Sequence, residues 1–294
     1  MTGIAVQDAT APARPPRAAA FDRRAGYGAF EVRRVADRSV VTRVVAKSPL
    51  RLLTPRGCAG NAAWVFSSTF GGGLVAGDQI NIDASVGEKA TCVFSTQAST
   101  KVYRSIDAGP TRQSLRLRVG PGGVCALLPD PLTCFAGAVF EQRIDVDLDS
   151  TATLVLVDWL TSGRRARGER WAFQKYLSRI DVRRENKLAF RDAVLLDEAD
   201  GPIDGDYRMG RCDCFGVVLL LGPRVEAACA QLLNQANAQP VTRGESLIFS
   251  ASPLAGGMIL RVAGPRTEIV GKWIRDRLRF VPGLLGGDPW ARKW

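Results

Sequence analysis

From Phe30 onward the chain is written in short apolar alternations broken by Gly, Pro and Asp. Phe140, Ile144, Val146 and Leu148 alternate with Glu141, Arg143, Asp145 and Asp147, and only Gln142 interrupts the apolar side. A period of two marks a half-buried strand. Leu115, Leu117 and Val119 alternate with Arg116 and Arg118 in the same way, and so do Ile80, Ile82, Ala84 and Val86 with their neighbours. Each of these strands is followed by a turn and a second, more apolar run: INIDASV-GEKA-TCVFSTQ, LRLRV-GPGG-VCALLPD and IDVDL-DSTA-TLVLVDWL. The starts at Ile80, Leu115 and Ile144 lie 35 and 29 residues apart. We read this as a degenerate repeat of one half-exposed strand hairpinned to one buried strand, whose stacked copies bury a continuous apolar layer.

Helical spacing arrives late. Val225, Ala228, Cys229, Leu232 and Ala236 fall at i, i+3, i+4 and i+7, as do Ile269, Val270, Trp273, Ile274 and Leu278 after Pro265. FGVVLLL (215–221), SLIFS (246–250) and GMILRVA (257–263) read as strands around them. The expected fold is therefore mostly β, a β-helical or stacked-hairpin scaffold of many strands with two α-helices in the C-terminal third. Residues 1–27, rich in Ala, Pro and Arg without periodicity, read as a mostly disordered basic lead-in, and 28–294 as a single domain. No secretory signal is expected at the N-terminus, because arginines interrupt the alanines there.

Composition changes this picture in two ways. The chain holds no histidine, which removes imidazole bases, Ser-His-Asp and Cys-His pairs, and the commonest metal ligand. It also carries a formal charge of +11, much of it between Arg164 and Arg191. A basic surface of this kind suits an acidic partner. The seven cysteines include no CxxC, and the Cys212-Asp213-Cys214 triplet is too tight for half a zinc site. They read as buried free thiols, and with no export signal they place the protein in the cytoplasm. No apolar run reaches the length of a membrane span.

Three segments hold candidate chemistry. Phe70-Gly-Gly-Gly-Leu-Val-Ala-Gly-Asp78 lacks the GK[ST] of a phosphate loop and leads into a strand, so Asp78 reads as a turn residue. Residues 95–105 (STQASTKVYRS) offer hydroxyls and an amide that could line a channel or cap a loop. Asp158 lies in the apolar run LVLVDWL, where an unpaired carboxylate is costly, and Arg164, Arg165 and Arg167 are its candidate partners.

In this order, these segments resemble the UreD (UreH) family of urease accessory proteins. The matching pieces are Pro49-Leu50-Arg51, Gly72 through Asp78, Thr96 through Ser105, Leu128-Pro-Asp-Pro131, Phe135-Ala-Gly-Ala138 and Gly163 through Glu169. Ala76 stands where the family commonly has Gly. The resemblance implies a non-catalytic scaffold with a β-helical fold and two helices. It implies binding to the urease structural subunits and to UreF, which recruits the GTPase UreG, and no tightly bound cofactor. Ni²⁺ would pass in transit through an internal channel to the urease active site. Carried over by residue, the channel lining is Asp78, Thr100, Asp158, Glu169 and Asp192. Hard oxygen ligands hold Ni²⁺ more loosely than imidazole or thiolate, which suits transit rather than storage. Two other readings start from the residues themselves. One is a basic nucleic-acid-binding β protein using Lys272, Arg275, Arg277 and Arg279. The other is a carboxylate hydrolase using Asp158 and Glu169 with raised pKa values.

Overall fold

The computed structural model describes residues 26–55, 60–105, 109–239 and 245–291. Most of the lead-in assigned to 1–27 lies outside these residues, as does Cys58. The described chain opens with an antiparallel pair, β1 (Tyr27–Val35) and β2 (Arg38–Ala46), then β3 (Leu50–Leu53) and β4 (Ala63–Thr69). Three coils follow: β5 (Gln79–Val86) with β6 (Thr91–Thr96), β8 (Thr111–Val119) with β9 (Val124–Leu127), and β11 (Val139–Leu148) with β12 (Thr153–Thr161). The short strands β7 (Lys101–Val102) and β10 (Leu132–Cys134) lie between them. Then come β13 (Lys175–Arg184), β14 (Lys187–Asp197), β15 (Cys214–Leu221), helix α1 (Glu226–Asn237), β16 (Ile248–Leu254), β17 (Gly257–Gly264), α2 (Thr267–Arg277) and the short α3 (Val281–Leu285).

The repeat forms, but its turn is an arch and not a hairpin. β5, β8 and β11 pair in parallel with one another in a seven-stranded sheet, ordered β14-β13-β11-β8-β5-β1-β2. Their partners β6, β9 and β12 pair in parallel in a second sheet, ordered β16-β17-β15-β12-β9-β6-β4-β3. The two strands of one coil face each other across the core. Each bonds to its counterpart in the next coil, as in a solenoid.

The burial of the two sheets explains the two kinds of run. The first sheet has one apolar face, turned inward through Ile82, Leu117, Phe140, Ile144 and Ile180, and its outer face is charged, which gives strict alternation. The second sheet is covered twice. Val65, Phe94, Leu127, Leu156 and Leu219 face the first sheet, while Trp64, Val157, Val218 and Leu260 pack under Val225, Leu232, Val270 and Ile274 of the helical layer. A strand buried on both faces reads as a continuous apolar run, hence LVLVDWL and FGVVLLL.

On the charged face, Asp181 is fully buried beneath arginines. Arg191 Nε and Arg179 Nη2 reach its carboxylate at 2.7 and 2.8 Å, and Arg183 lies 3.9 Å away. Burial opposes ionisation, but the hydrogen bonds from Arg191 and Arg179 prevail and hold the pKa at about 2. A carboxylate held low in this way stabilises the fold above its unfolded pKa of about 3.9, and that gain is lost as the pH falls through about 2. Asp181→Asn is expected to cost about 1–3 kcal/mol at neutral pH, with the difference from the parent vanishing in acid. Urea titrations at a series of pH values check this; a pH-independent difference would assign the loss to packing.

Candidate functional site

Inside the sandwich the apolar core gives way to a polar layer. On the first sheet, the inward positions at this level are Gln113, Gln142 and Ser178, with Gln142 paired directly between the other two across β8, β11 and β13. On the second sheet Ser67, Thr96 and Asp158 stand opposite. Thr100, Gln113, Gln142, Asp158, Ser67 and Thr96 all line one inter-sheet cavity of about 50 Å³. The position that broke the alternation of β11 is thus a functional-looking contact: Gln142 Nε2 donates to Asp158 Oδ1 at 3.0 Å and to Ser178 Oγ at 3.0 Å. Ser178 Oγ in turn donates to Asp158 Oδ2 at 2.7 Å.

Asp158 therefore differs from its expected environment. Its partners are neutral, and neither Arg164, Arg165 nor Arg167 reaches it. Burial pushes its pKa up, the donors Ser178 and Gln142 pull it back, and the negative charge of Asp192 pushes it up further. Asp192, on β14, is in register with Ile180, outside the lining of the cavity, and is ion-paired with Arg261 of β17 at 2.5 Å. Paired carboxylates otherwise repel, so Arg261 acts as the resident counter-ion of Asp192.

The cavity shares walls with two openings. Ser67, Ile82, Thr100 and Gln113 also line an opening of about 70 Å³ beside Ser68, Thr69, Gly72 and Ser99. Pro129, Asp130 and Trp159 also line a cleft of about 600 Å³ beneath α2. The inner volume takes a bare ion with a few waters and nothing larger.

Like Asp192, the two remaining predicted residues do not line the inner cavity. Asp78 accepts a hydrogen bond from the Val75 N–H at 2.9 Å and so closes the turn of the glycine-rich segment, the role its spacing suggests. Glu169 is held by Arg164, whose Nε lies 2.9 Å from Oε2 and whose Nη2 bonds Oε1, and it accepts from the Ala136 N–H at 3.3 Å. The hydrogen bond from Arg164 lowers its pKa, the reverse of what a general acid needs. The expected arginine pairing is thus made to Glu169, while Arg165 and Arg170 both pair with Asp213. Sequence reasoning passed over Gln113, Gln142, Ser178 and Arg261. For Gln142 the signal was a polar residue on an apolar face; Gln113 and Ser178 carried none, because only the strand pairing puts them in register with it.

Cys212 and Cys214 are both buried, and burial raises the Cys214 thiol to about 12 and the Cys229 thiol to about 11. Thiols this basic are protonated at neutral pH and are poor metal ligands. Among the described residues, no group of three or more Cys, Asp or Glu side chains is placed to hold a metal ion. Nor is any helix there long and apolar enough to cross a membrane.

Comparison with known proteins gives one consistent result. The family profile described as UreD urease accessory protein matches residues 24–294. A urease accessory protein UreD of Sorangium cellulosum is 48% identical over 293 residues, covering 97% of this chain and 92% of the relative. The UreD protein of an Anaeromyxobacter species is 41% identical, covering 92% of this chain and 90% of the relative. A urease accessory protein D of Oryza sativa subsp. indica is 35% identical, covering 90% and 95%.

Proposed function

The chain belongs to the UreD family of urease accessory proteins, and from that premise we propose that its polar layer is a passage for Ni²⁺ on the way to urease. In this reading the protein is a non-catalytic scaffold. It engages the urease structural subunits and UreF, and through UreF the GTPase UreG. One observation carries the reading. A histidine-free layer of amides, hydroxyls and carboxylates interrupts an otherwise apolar sandwich and shares walls with two openings.

The donor set suits a moving cargo. Amide and hydroxyl oxygens solvate a divalent ion without gripping it, and Asp158 supplies one buried negative charge to offset the cost of desolvation. Arg261 neutralises Asp192, so the two acids do not act together as a chelate. Thr100 and Asp158 line the passage itself, and Asp192 stands beside it, acting on Asp158 through its charge. Asp78 shapes the loop at its rim, and Glu169 fixes the loop from Gly163 to Glu169.

Co-expression with the urease subunits and UreF tests the scaffold. The tagged chain should co-purify with both, and urease matured beside it should contain nickel. Absence of urease from that complex would overturn the proposal. A second expectation separates the roles of Asp78. Asp78→Asn keeps the acceptor for the Val75 N–H and should retain urease activation, whereas Asp78→Ala should lose about 1 kcal/mol of stability and part of the activation. Equal loss of activation in both variants, at unchanged stability, would return Asp78 to the passage lining.

A further inference from the structure

The cleft of about 600 Å³ beneath α2 is much larger than the inner cavity it adjoins, and its walls are of a different kind. Trp159 and Trp290 form two apolar walls, Gln97, Ser99 and Asp130 a polar rim, and Arg275 stands at the helix side. The Trp159 ring is fixed, because its Nε1–H donates to the Pro129 carbonyl at 2.9 Å. Gly271 lets the helix settle on that ring: a Cβ there would lie 3.1 Å from the indole. The wall is thus built before anything enters.

The charges of α2 are unequally used. Lys272 and Arg279 both pair with Asp276, and Arg277 stacks on Trp273 at 4.8 Å. Arg275 has no ion pair among the described residues, although it is exposed and lines the cleft. An unpaired guanidinium in a cleft that two indoles also line selects a ligand with a carboxylate next to a bulky apolar group. The cleft volume suits one or two large side chains and not a folded domain.

We propose that this cleft docks an acidic peptide segment of a partner protein, one bulky apolar side chain entering between Trp159 and Trp290 and a neighbouring carboxylate meeting Arg275. The occupant seats at one opening of the polar layer, since Pro129, Asp130 and Trp159 are common to both spaces. The docking follows from the walls and charge of the cleft and holds whether or not an ion moves through the layer.

The test is a selection of random displayed peptides on the full chain, followed by binding measurements with the enriched sequences as labelled synthetic peptides. Enriched sequences should carry Asp or Glu next to Trp, Phe, Tyr or Leu. Their affinity should fall about tenfold with Arg275→Gln or with Trp290→Ala, and should weaken with salt for the parent more than for Arg275→Gln. Binding should also quench the intrinsic tryptophan fluorescence, with the quench reduced in Trp290→Ala. Both positions are partly or fully exposed, and thermal melting of each variant establishes that the fold is kept. Enrichment without acidic bias, or equal binding to the parent and Arg275→Gln, overturns the proposal. So does displacement of the peptides by a single-stranded oligonucleotide of arbitrary sequence, which would assign the cleft to nucleic acid.

Discussion

Asp158→Asn is expected to leave the protein at least as stable as the parent while lowering urease activation about tenfold or more, the effect of removing a carboxylate that faces the inner cavity with only Gln142 and Ser178 as hydrogen-bond donors. The geometry lets asparagine keep most of the local bonds. Its carbonyl can still accept from Ser178 or Gln142, which lie 2.7 and 3.0 Å from the present carboxylate. The sign of the stability change follows from the raised pKa. A carboxyl whose folded pKa is raised contributes most to stability below its unfolded pKa, and that contribution is lost as the pH rises through the folded value. The parent should therefore lose stability relative to Asp158→Asn between acid and neutral pH, and the two should converge in acid. Calorimetric melts across that range, with urease activity and nickel content after co-expression, give both readouts. An unaffected activation would remove the inner cavity from the delivery route; a large loss of stability would make Asp158 a structural acid.

The other large effect lies in the backbone. Gly222, between β15 and α1, has φ +110° and sits against the turn that joins β11 to β12. A Cβ there would lie 2.1 Å from the Ala152 carbonyl oxygen and 2.7 Å from Thr153 Cα. Both contacts are backbone, so neither can swing aside. Gly222→Ala is expected to cost about 3 kcal/mol or more and to yield mostly insoluble protein. Gly205→Ala is the control: its only close neighbour is the Pro202 carbonyl at 3.1 Å, and it should change stability far less. Soluble yield and urea midpoints compare the two, and equal yields would show that the coil can shift to make room.

The alternation of Phe140, Ile144, Val146 and Leu148 declared the inward face of β11, and the apolar runs declared the doubly covered sheet. The helical spacing located α1 and α2 within a residue or two at Glu226–Asn237 and Thr267–Arg277. Strand pairing was not legible. GEKA, GPGG and DSTA have hairpin chemistry, and a period of two reports which face is buried, not which strand lies beside it. The site was legible in outline only. Asp158 stood out as an acid in an apolar run, but its partners come from strands 16 and 20 residues away in a different sheet. The arginines that follow it in the chain lie past the end of β12 and meet Glu169 and Asp213 instead. Proximity in sequence favoured the arginines; stacking of the sheets favoured the amide and the hydroxyl.

The parallel coils bear on how the chain must be made. Each coil bonds to the one before it and offers its own open edge to the one after it, so no coil is complete until its successor is synthesised. At roughly 5–20 residues per second, a coil of 29 to 35 residues leaves that edge exposed for some seconds. During that time it can join another nascent chain as readily as its own. β13 still adds in parallel to β11, and the antiparallel strands β14 through β17 close the stack at its C-terminal end and emerge late from the ribosome. Crowding of unfinished chains, rather than any weakness of the finished fold, then sets the yield, and slowing synthesis below the rate of coil addition should raise the soluble fraction.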